Sequence, residues 1–217
     1  VTARTGSLHV KRYREERDLT VLLLVDLSSS TRFGSGAMTV HVMIAEVSSL
    51  FALSASRRDR VGAILFDEAL RTVIPPRLGW RHGLRVVREV LGSAPAGKGT
   101  ALHEAARAAG RLLRRRGVVV VIADSSCELP RRELVALAGR HDVVVVRVGD
   151  PLLERPVDGS IPVVDAESGR RGIARGRMRR HKIKALPGVD VVELNTAEDY
   201  LPAVRAMLER REHRRAR

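Results

Sequence analysis

The chain has 217 residues and carries 39 Lys and Arg against 25 Asp and Glu, a formal charge of +14, and it is long enough for one sizeable α/β core with no second domain required. A single cysteine, Cys127, excludes an internal disulfide or a metal–thiolate cluster, and no apolar run approaches the ~20 residues that span a bilayer. With no signal-peptide core at the N-terminus, a reducing, cytoplasmic setting is expected.

Residues 1–20 are polar and basic, with Leu8, Val10 and Tyr13 alternating as in a short strand. They are read as a lead-in to the main domain, 21–217, and as the end of an upstream region, because the chain opens on Val1 rather than Met. The apolar run Val21 to Val25 then reads as a strand buried on both faces, ending on Asp26. Ser28 and Ser30 follow at alternate positions.

Met38 to Ala55 carries a broad apolar arc and predicts a helix packed on the sheet, entered through Ser35 and Gly36. Arg60 to Phe66 is the next strand. Asp67-Glu68 turns the chain into a short antiparallel edge strand, Leu70 to Ile74, which Pro75-Pro76 is expected to close. From Gly79, the pattern Leu84, Val86, Val87, Val90 and Leu91 gives an amphipathic helix.

Gly97-Lys98-Gly99-Thr100 introduces the helix Ala101 to Leu113. It is not a Walker loop, since that pattern has Lys and Thr adjacent, whereas Gly99 separates Lys98 from Thr100. Two roles for Thr100 stay open: a helix N-cap, or an oxygen donor presented between two glycines. Gly117 to Ala123 is a buried strand that ends on Asp124, so a second carboxylate arrives at a strand's carboxyl end.

Arg131 to Gly139 predicts a helix, Asp142 to Val148 a strand, and Ile161 to Val164 with Gly172 to Ala174 a hairpin turning at Ser168-Gly169. Residues 175–187 read as a basic helix or loop. Asp190 to Leu194 is a last short strand, and a helix from Ala197, capped by Thr196, turns Tyr200, Leu201, Val204, Met207 and Leu208 inward. Strands alternating with helices predict a Rossmann-like, doubly wound, mostly parallel sheet with helices on both faces.

In open parallel sheets ligands bind at the carboxyl ends of the strands. Asp26, Ser28 and Ser30 on one strand–loop, Thr100 on a helix-entry loop and Asp124 on another strand would supply hard oxygen donors to one small volume, which suits Mg²⁺ or Mn²⁺. No Cys or His is among them, which argues against Zn²⁺.

Asp-x-Ser-x-Ser, Thr100 and Asp124 after a Val/Ile strand resemble the metal-ion-dependent adhesion site of the von Willebrand factor A (vWA) fold. More specifically, the chain resembles the bacterial domain-of-unknown-function family DUF58, on the stretches VTARTGSLHVKRYREERDLTVLLLVDLSSS, RDRVGAILF and RHDVVVVRVGDP and on Val164 to Gly169. Thr31 stands where that family usually has Met, and Val40 where it commonly has Lys. The resemblance implies a metal-dependent protein-binding module, often encoded beside an AAA+ ATPase.

The leading expectation is therefore a non-enzymatic module in which an Asp or Glu of a protein partner completes the ion's shell. A metal-assisted phosphohydrolase or nuclease is the first alternative, but it lacks a general base other than His103, one turn into its helix. Nucleic-acid binding through Arg175 to Lys184 is the second. Aromatic residues make up only 3% of the chain and its arginines are scattered, so the sequence disfavours it.

Overall fold

The computed structural model describes residues 19–154, 156–164, 170–177 and 185–215. In chain order its elements are β1 (Thr20–Asp26), α1 (Val40–Ala55), β2 (Arg60–Phe66), β3 (Leu70–Arg77), α2 (Trp80–Gly92), α3 (Leu102–Leu112) and β4 (Val118–Asp124). There follow α4 (Arg131–Ala138), β5 (Asp142–Gly149), α5 (Pro151–Glu154), β6 (Pro156–Val164), β7 (Arg171–Arg177), β8 (Val189–Asn195) and α6 (Leu201–Arg215).

Six strands form one sheet in the order β3-β2-β1-β4-β5-β8, parallel except for the antiparallel edge strand β3. The Val/Ile/Leu runs are continuous because both faces are covered. Leu23 and Val25 of β1 pack with α1, α2 and α6 on one face, whereas Leu22 and Leu24 pack with α3 and α4 on the other. This three-layer α/β architecture is the doubly wound one expected.

The chain runs outward from β1 to β2 and β3, then returns to lay β4 on the other side of β1. The order of strands therefore reverses between β1 and β4. That is the switch point at which crossover helices leave in opposite directions and open a crevice at the carboxyl edge. Asp26 and Asp124 are the last residues of these two strands.

Several boundaries differ from the sequence reading. β3 continues through Pro75 and Pro76 to Arg77, with a register shift opposite Val61 and Ala63. An edge strand tolerates residues without an N–H, and the irregular register removes the need for a regular ladder there. Gly62 makes room for it, since a Cβ at that position would lie 2.5 Å from the Ile74 carbonyl oxygen and 2.7 Å from the Pro76 nitrogen.

Helix α1 starts at Val40 with Thr39 as its cap, the Thr39 Oγ1 accepting the Val42 amide at 3.3 Å, so Ser35 and Gly36 are not its start. The C-terminal helix begins at Leu201 rather than Ala197. Thr196 does not cap it: its hydroxyl donates to Asp150 Oδ2 at 2.9 Å, and the Asp199 carboxylate accepts the Leu201 amide at 2.9 Å instead. Val204 and Met207 are buried as expected, but Leu201 and Leu208 are about half exposed. A helix resting on the sheet by one narrow stripe buries only that stripe.

β6 and β7 pair as a separate two-stranded antiparallel sheet, longer than expected, and residues 175–177 of the basic segment belong to β7 rather than to a helix or loop. The lead-in residues 1–18, the hairpin turn at Ser168-Gly169 and the remaining basic residues 178–184 lie outside the described residues. Among the described residues no helix is long and apolar enough to cross a membrane.

Candidate metal centre

β1 delivers Asp26 into the core, where the residue is fully buried. Its Oδ1 accepts the Ser28 amide at 2.8 Å, a tight Asx turn that bends the chain off the strand. Its Oδ2 is buried and has no hydrogen-bond partner among the described residues. Burial is the main cause that raises the Asp26 pKa to about 6; hydrogen bonds from Ser28 work the other way, and the charge of Asp124 adds to the rise.

The loop after Asp26 is one 3₁₀ turn, Ser29–Arg32. It places the Ser28 and Ser30 hydroxyls 3.1 Å apart. Thr31 is fully buried, and its hydroxyl donates to the Ser28 carbonyl at 2.7 Å, so the threonine at this position locks the turn.

The segment carrying Thr100 is tied to this loop. Ala96 N–H donates to the Leu27 carbonyl at 2.8 Å, the Ser29 hydroxyl donates to the Gly97 carbonyl at 2.7 Å, and Arg32 Nε donates to the Pro95 carbonyl at 3.1 Å. The Ala101 amide donates to the Asp67 carbonyl just beyond β2. Thr100 thus sits, half-buried, on a strap strung between the exits of β1 and β2. Of its two open roles the cap falls away: α3 begins at Leu102 with Ala101 as capping residue and no side-chain cap bond.

Asp124 is almost fully buried, and its Oδ1 accepts the Ser126 amide at 2.8 Å. The turn after it is held by the Ser125 amide donating to Val148 at 2.8 Å and by the buried Arg147 guanidinium donating to the Ser125 carbonyl. His103, the one imidazole considered as a base, is about half exposed, with Glu104 3.9 Å away. Among the described residues no group of three or more His, Cys, Asp and Glu side chains converges on a metal position. The candidate set instead rests on two carboxylates and three hydroxyls.

Sequence reading missed two further carboxylates at the same edge. Asp67 follows β2 directly and is nearly buried, with Arg71 3.3 Å from it and its Oδ1 accepting the Ala69 amide at 3.2 Å. Asp150 follows β5 and is fully buried, accepting the Ser35 amide, the Ser35 hydroxyl, the Leu152 amide and the Thr196 hydroxyl. The signal was present in Phe66-Asp67 and Gly149-Asp150, each an Asp at a strand end. Both are supplied with donors or a cation from within the protein, whereas Asp26 has a donor at Oδ1 but none at Oδ2 among the described residues.

An orphaned, buried carboxylate oxygen at a topological switch point, on a strand whose following loop holds two hydroxyls 3.1 Å apart, fits a hard cation better than it fits an apolar core. Solved structures share the architecture. The conserved hypothetical protein BatB of Bacteroides thetaiotaomicron superposes with a TM-score of 0.63 at 16% identity, over 89% of this chain and 98% of that one. The SpRpn10 VWA domain does so with 0.51 at 11% identity, over 84% and 91%. The fold is therefore that of a vWA-like α/β domain.

The family follows from sequence. The model described as "Protein of unknown function DUF58" matches residues 1–203, and the chain belongs to the DUF58 family. Uncharacterised proteins of Mycobacterium bovis and Mycobacterium tuberculosis are each 35% identical over 174 residues, 78% of this chain and 55% of theirs. The chain spans about half the length of the curated relatives it matches.

Proposed function

We propose that the domain is a non-enzymatic, divalent-cation-dependent protein-binding module whose ion is held by Asp26, Ser28, Ser30, Thr100 and Asp124. The observation that carries this reading is the Asp26 Oδ2 oxygen, buried with no partner among the described residues, at the start of a loop whose two hydroxyls lie 3.1 Å apart. Leaving a buried carboxylate oxygen unsatisfied costs several kcal/mol, on the order of the penalty for any unpaired buried charge. A cation removes that cost, and oxygen-only donors select Mg²⁺ or Mn²⁺ over Zn²⁺.

Bound there, the ion supplies a Lewis-acidic contact that a carboxylate from another protein can complete. The protein's own residues do the rest. Asp26 and Asp124 bring negative charge from two strands, their Asx turns fix the carboxylate planes, and the Ser29–Gly97 and Leu27–Ala96 bonds keep the Thr100 strap against the serine loop. The charge of +14 favours an acidic partner through attraction that salt weakens. An AAA+ ATPase is the partner class that the family resemblance suggests, and a cytoplasmic setting is part of the same proposal.

A Mn²⁺ titration of the full chain should show one saturable site that Asp26→Ala removes. A pull-down with and without chelator should recover an acidic protein partner only when the cation is present. Loss of the first result sinks the metal. Metal binding with a chelator-insensitive partner sinks the bridging role. Turnover of a generic phosphodiester with Mn²⁺ is expected to be nil, and turnover abolished by Asp26→Ala would replace the module with a hydrolase.

A further inference from the structure

Away from the candidate metal centre, on the sheet face covered by α3 and α4, a cavity of ≈ 440 Å³ opens between these two helices. Two rows of side chains wall it. On α3, Ala106 and Gly110 stand four residues apart; on α4 and the turn after it, Arg132, Ala136 and Arg140 follow at the same interval. That spacing keeps Ala106 with Gly110, and Arg132 with Ala136, on one face of its helix, while Arg140 stands in the turn beyond α4, so small residues line the middle of the cavity and an arginine stands at either end of the α4 side.

The floor holds His141. Only 3% of this residue is exposed, and neither ring nitrogen has a hydrogen-bond partner among the described residues. Burial first, then Arg140 and Arg116, lower its pKa, so the ring is neutral near pH 7 and offers one donor and one acceptor. A buried imidazole with both nitrogens unmatched is costly, and a ligand atom reaching it from the cavity removes part of that cost.

The charges around the opening are mostly of one sign. Glu133 is the sole carboxylate lining it among the described residues, and Arg107 occupies that carboxylate at 2.7 Å. Arg132 also stands close enough to help lower the Glu133 pKa, after Arg107. Arg140 has no ion-pair partner among the described residues. Guanidinium groups match tetrahedral oxyanions with paired N–H donors, and the volume lies within the roughly 300–1,000 Å³ of small-molecule sites.

We propose that this cavity binds a small phosphate monoester with a planar or apolar body, of the size of a nucleoside monophosphate. The phosphate lies between Arg132 and Arg140, the body rests on Ala106, Gly110 and Ala136, and a polar atom of the ligand meets His141. No group of the candidate metal centre takes part.

The probe is AMP, with inorganic phosphate as control, titrated against the full chain by calorimetry and by the His141 imidazole resonances. Saturable 1:1 binding of AMP is expected, weakened on the order of tenfold or more by Arg132→Gln with Arg140→Gln. Both arginines are exposed, so the pair should leave the melting temperature unchanged. Ala136→Trp, also at an exposed position, should abolish binding by filling the cavity, whereas Asp26→Ala and chelator should leave it unaltered.

Binding that does not saturate, or that survives both the arginine pair and Ala136→Trp, overturns the proposal. So does inorganic phosphate bound as tightly as AMP, which would mark an adventitious ion only. A Glu-rich peptide that displaces AMP and binds more tightly would show a peptide groove instead, and would equally overturn it.

Discussion

Asp26 and Asp124 end adjacent parallel strands in matching turns, each carboxylate Oδ1 accepting, at 2.8 Å, the amide of the residue two positions further on. The two turns orient both side chains before any ligand arrives. The charge of Asp124 also helps to raise the Asp26 pKa, so the two acids compete for the same small volume. A divalent cation relieves that competition.

Protons should compete with the cation. With a folded-state pKa of about 6, Asp26 is protonated in acid, and Mn²⁺ affinity should fall up to about tenfold per pH unit below that value. The metal-free protein behaves in the opposite sense. Because the folded pKa lies above the ordinary 3.8, the contribution of Asp26 to stability is fully present below about pH 4 and is lost as pH rises through about 6. The whole loss is about 3 kcal/mol. Urea melts without metal at pH 4.5 and 7 should show this slope, Asp26→Asn should flatten it, and saturating Mg²⁺ should offset it at pH 7.

Thr100→Ala should weaken Mn²⁺ binding by about tenfold while leaving stability within about 0.5 kcal/mol, because the hydroxyl caps no helix and the residue is only half-buried. A metal titration paired with thermal unfolding separates the two effects. An equal loss in both would mean that the threonine holds the fold rather than the ion.

Gly97→Ala should affect both. Gly97 has φ of +76°, and a Cβ there would lie 3.0 Å from the Asp67 Cβ and Cγ. The strain is about 1–2 kcal/mol for the left-handed backbone alone, and the relaxing strap carries Thr100 with it. Denaturant unfolding and Mn²⁺ titration of this variant should move together.

Asp150 is held ionised despite its burial. Burial acts to raise its pKa, but hydrogen bonds from Ser35, Leu152 and Thr196 outweigh it and the pKa is lowered. Its contribution to stability is therefore present above about pH 4 and is lost as pH falls through the folded-state pKa below 3.8. Asp150→Ala leaves the Ser35 amide and hydroxyl and the Thr196 hydroxyl without their acceptor, at a cost of about 3 kcal/mol near neutral pH. Melts of the variant should lack the wild-type decline in acid.

Gly62→Ala should destabilise by about 3 kcal/mol, since the nearest obstacles are the Ile74 carbonyl and the Pro76 backbone rather than flexible side chains. Unfolding midpoints in urea test this directly. A milder cost would mean that the β2–β3 edge shifts to admit the methyl group.

Local pattern made the layered fold legible. Runs such as Val21 to Val25 and Val118 to Ile122 are apolar at every position, which only a strand covered on both faces requires, and the intervening helices made the crossovers. The candidate metal residues were visible for the same reason: an Asp ending such a run stands at the carboxyl edge whatever the partner strands are. Thr31 in the serine loop was visible too, although its bond to the Ser28 carbonyl was not.

Tertiary contacts decided the rest. All four aspartates stand at strand ends, and the serines after Asp26 do not reveal how each carboxylate is satisfied: Ser35, Thr196 and Arg71 supply Asp150 and Asp67, while Asp26 Oδ2 has no donor among the described residues. Pro75 and Pro76 could stay in a strand because β3 took the sheet edge, and Thr196 caps no helix because the last one starts five residues later, at Leu201, leaving its hydroxyl to donate to Asp150. Periodicity is a property of neighbours along the chain and can be read there. Which polar groups find partners depends on segments 40 to 115 residues apart meeting in space, as Leu19 meets Asp59 and Ser35 meets Asp150, and that is settled only when the sheet closes.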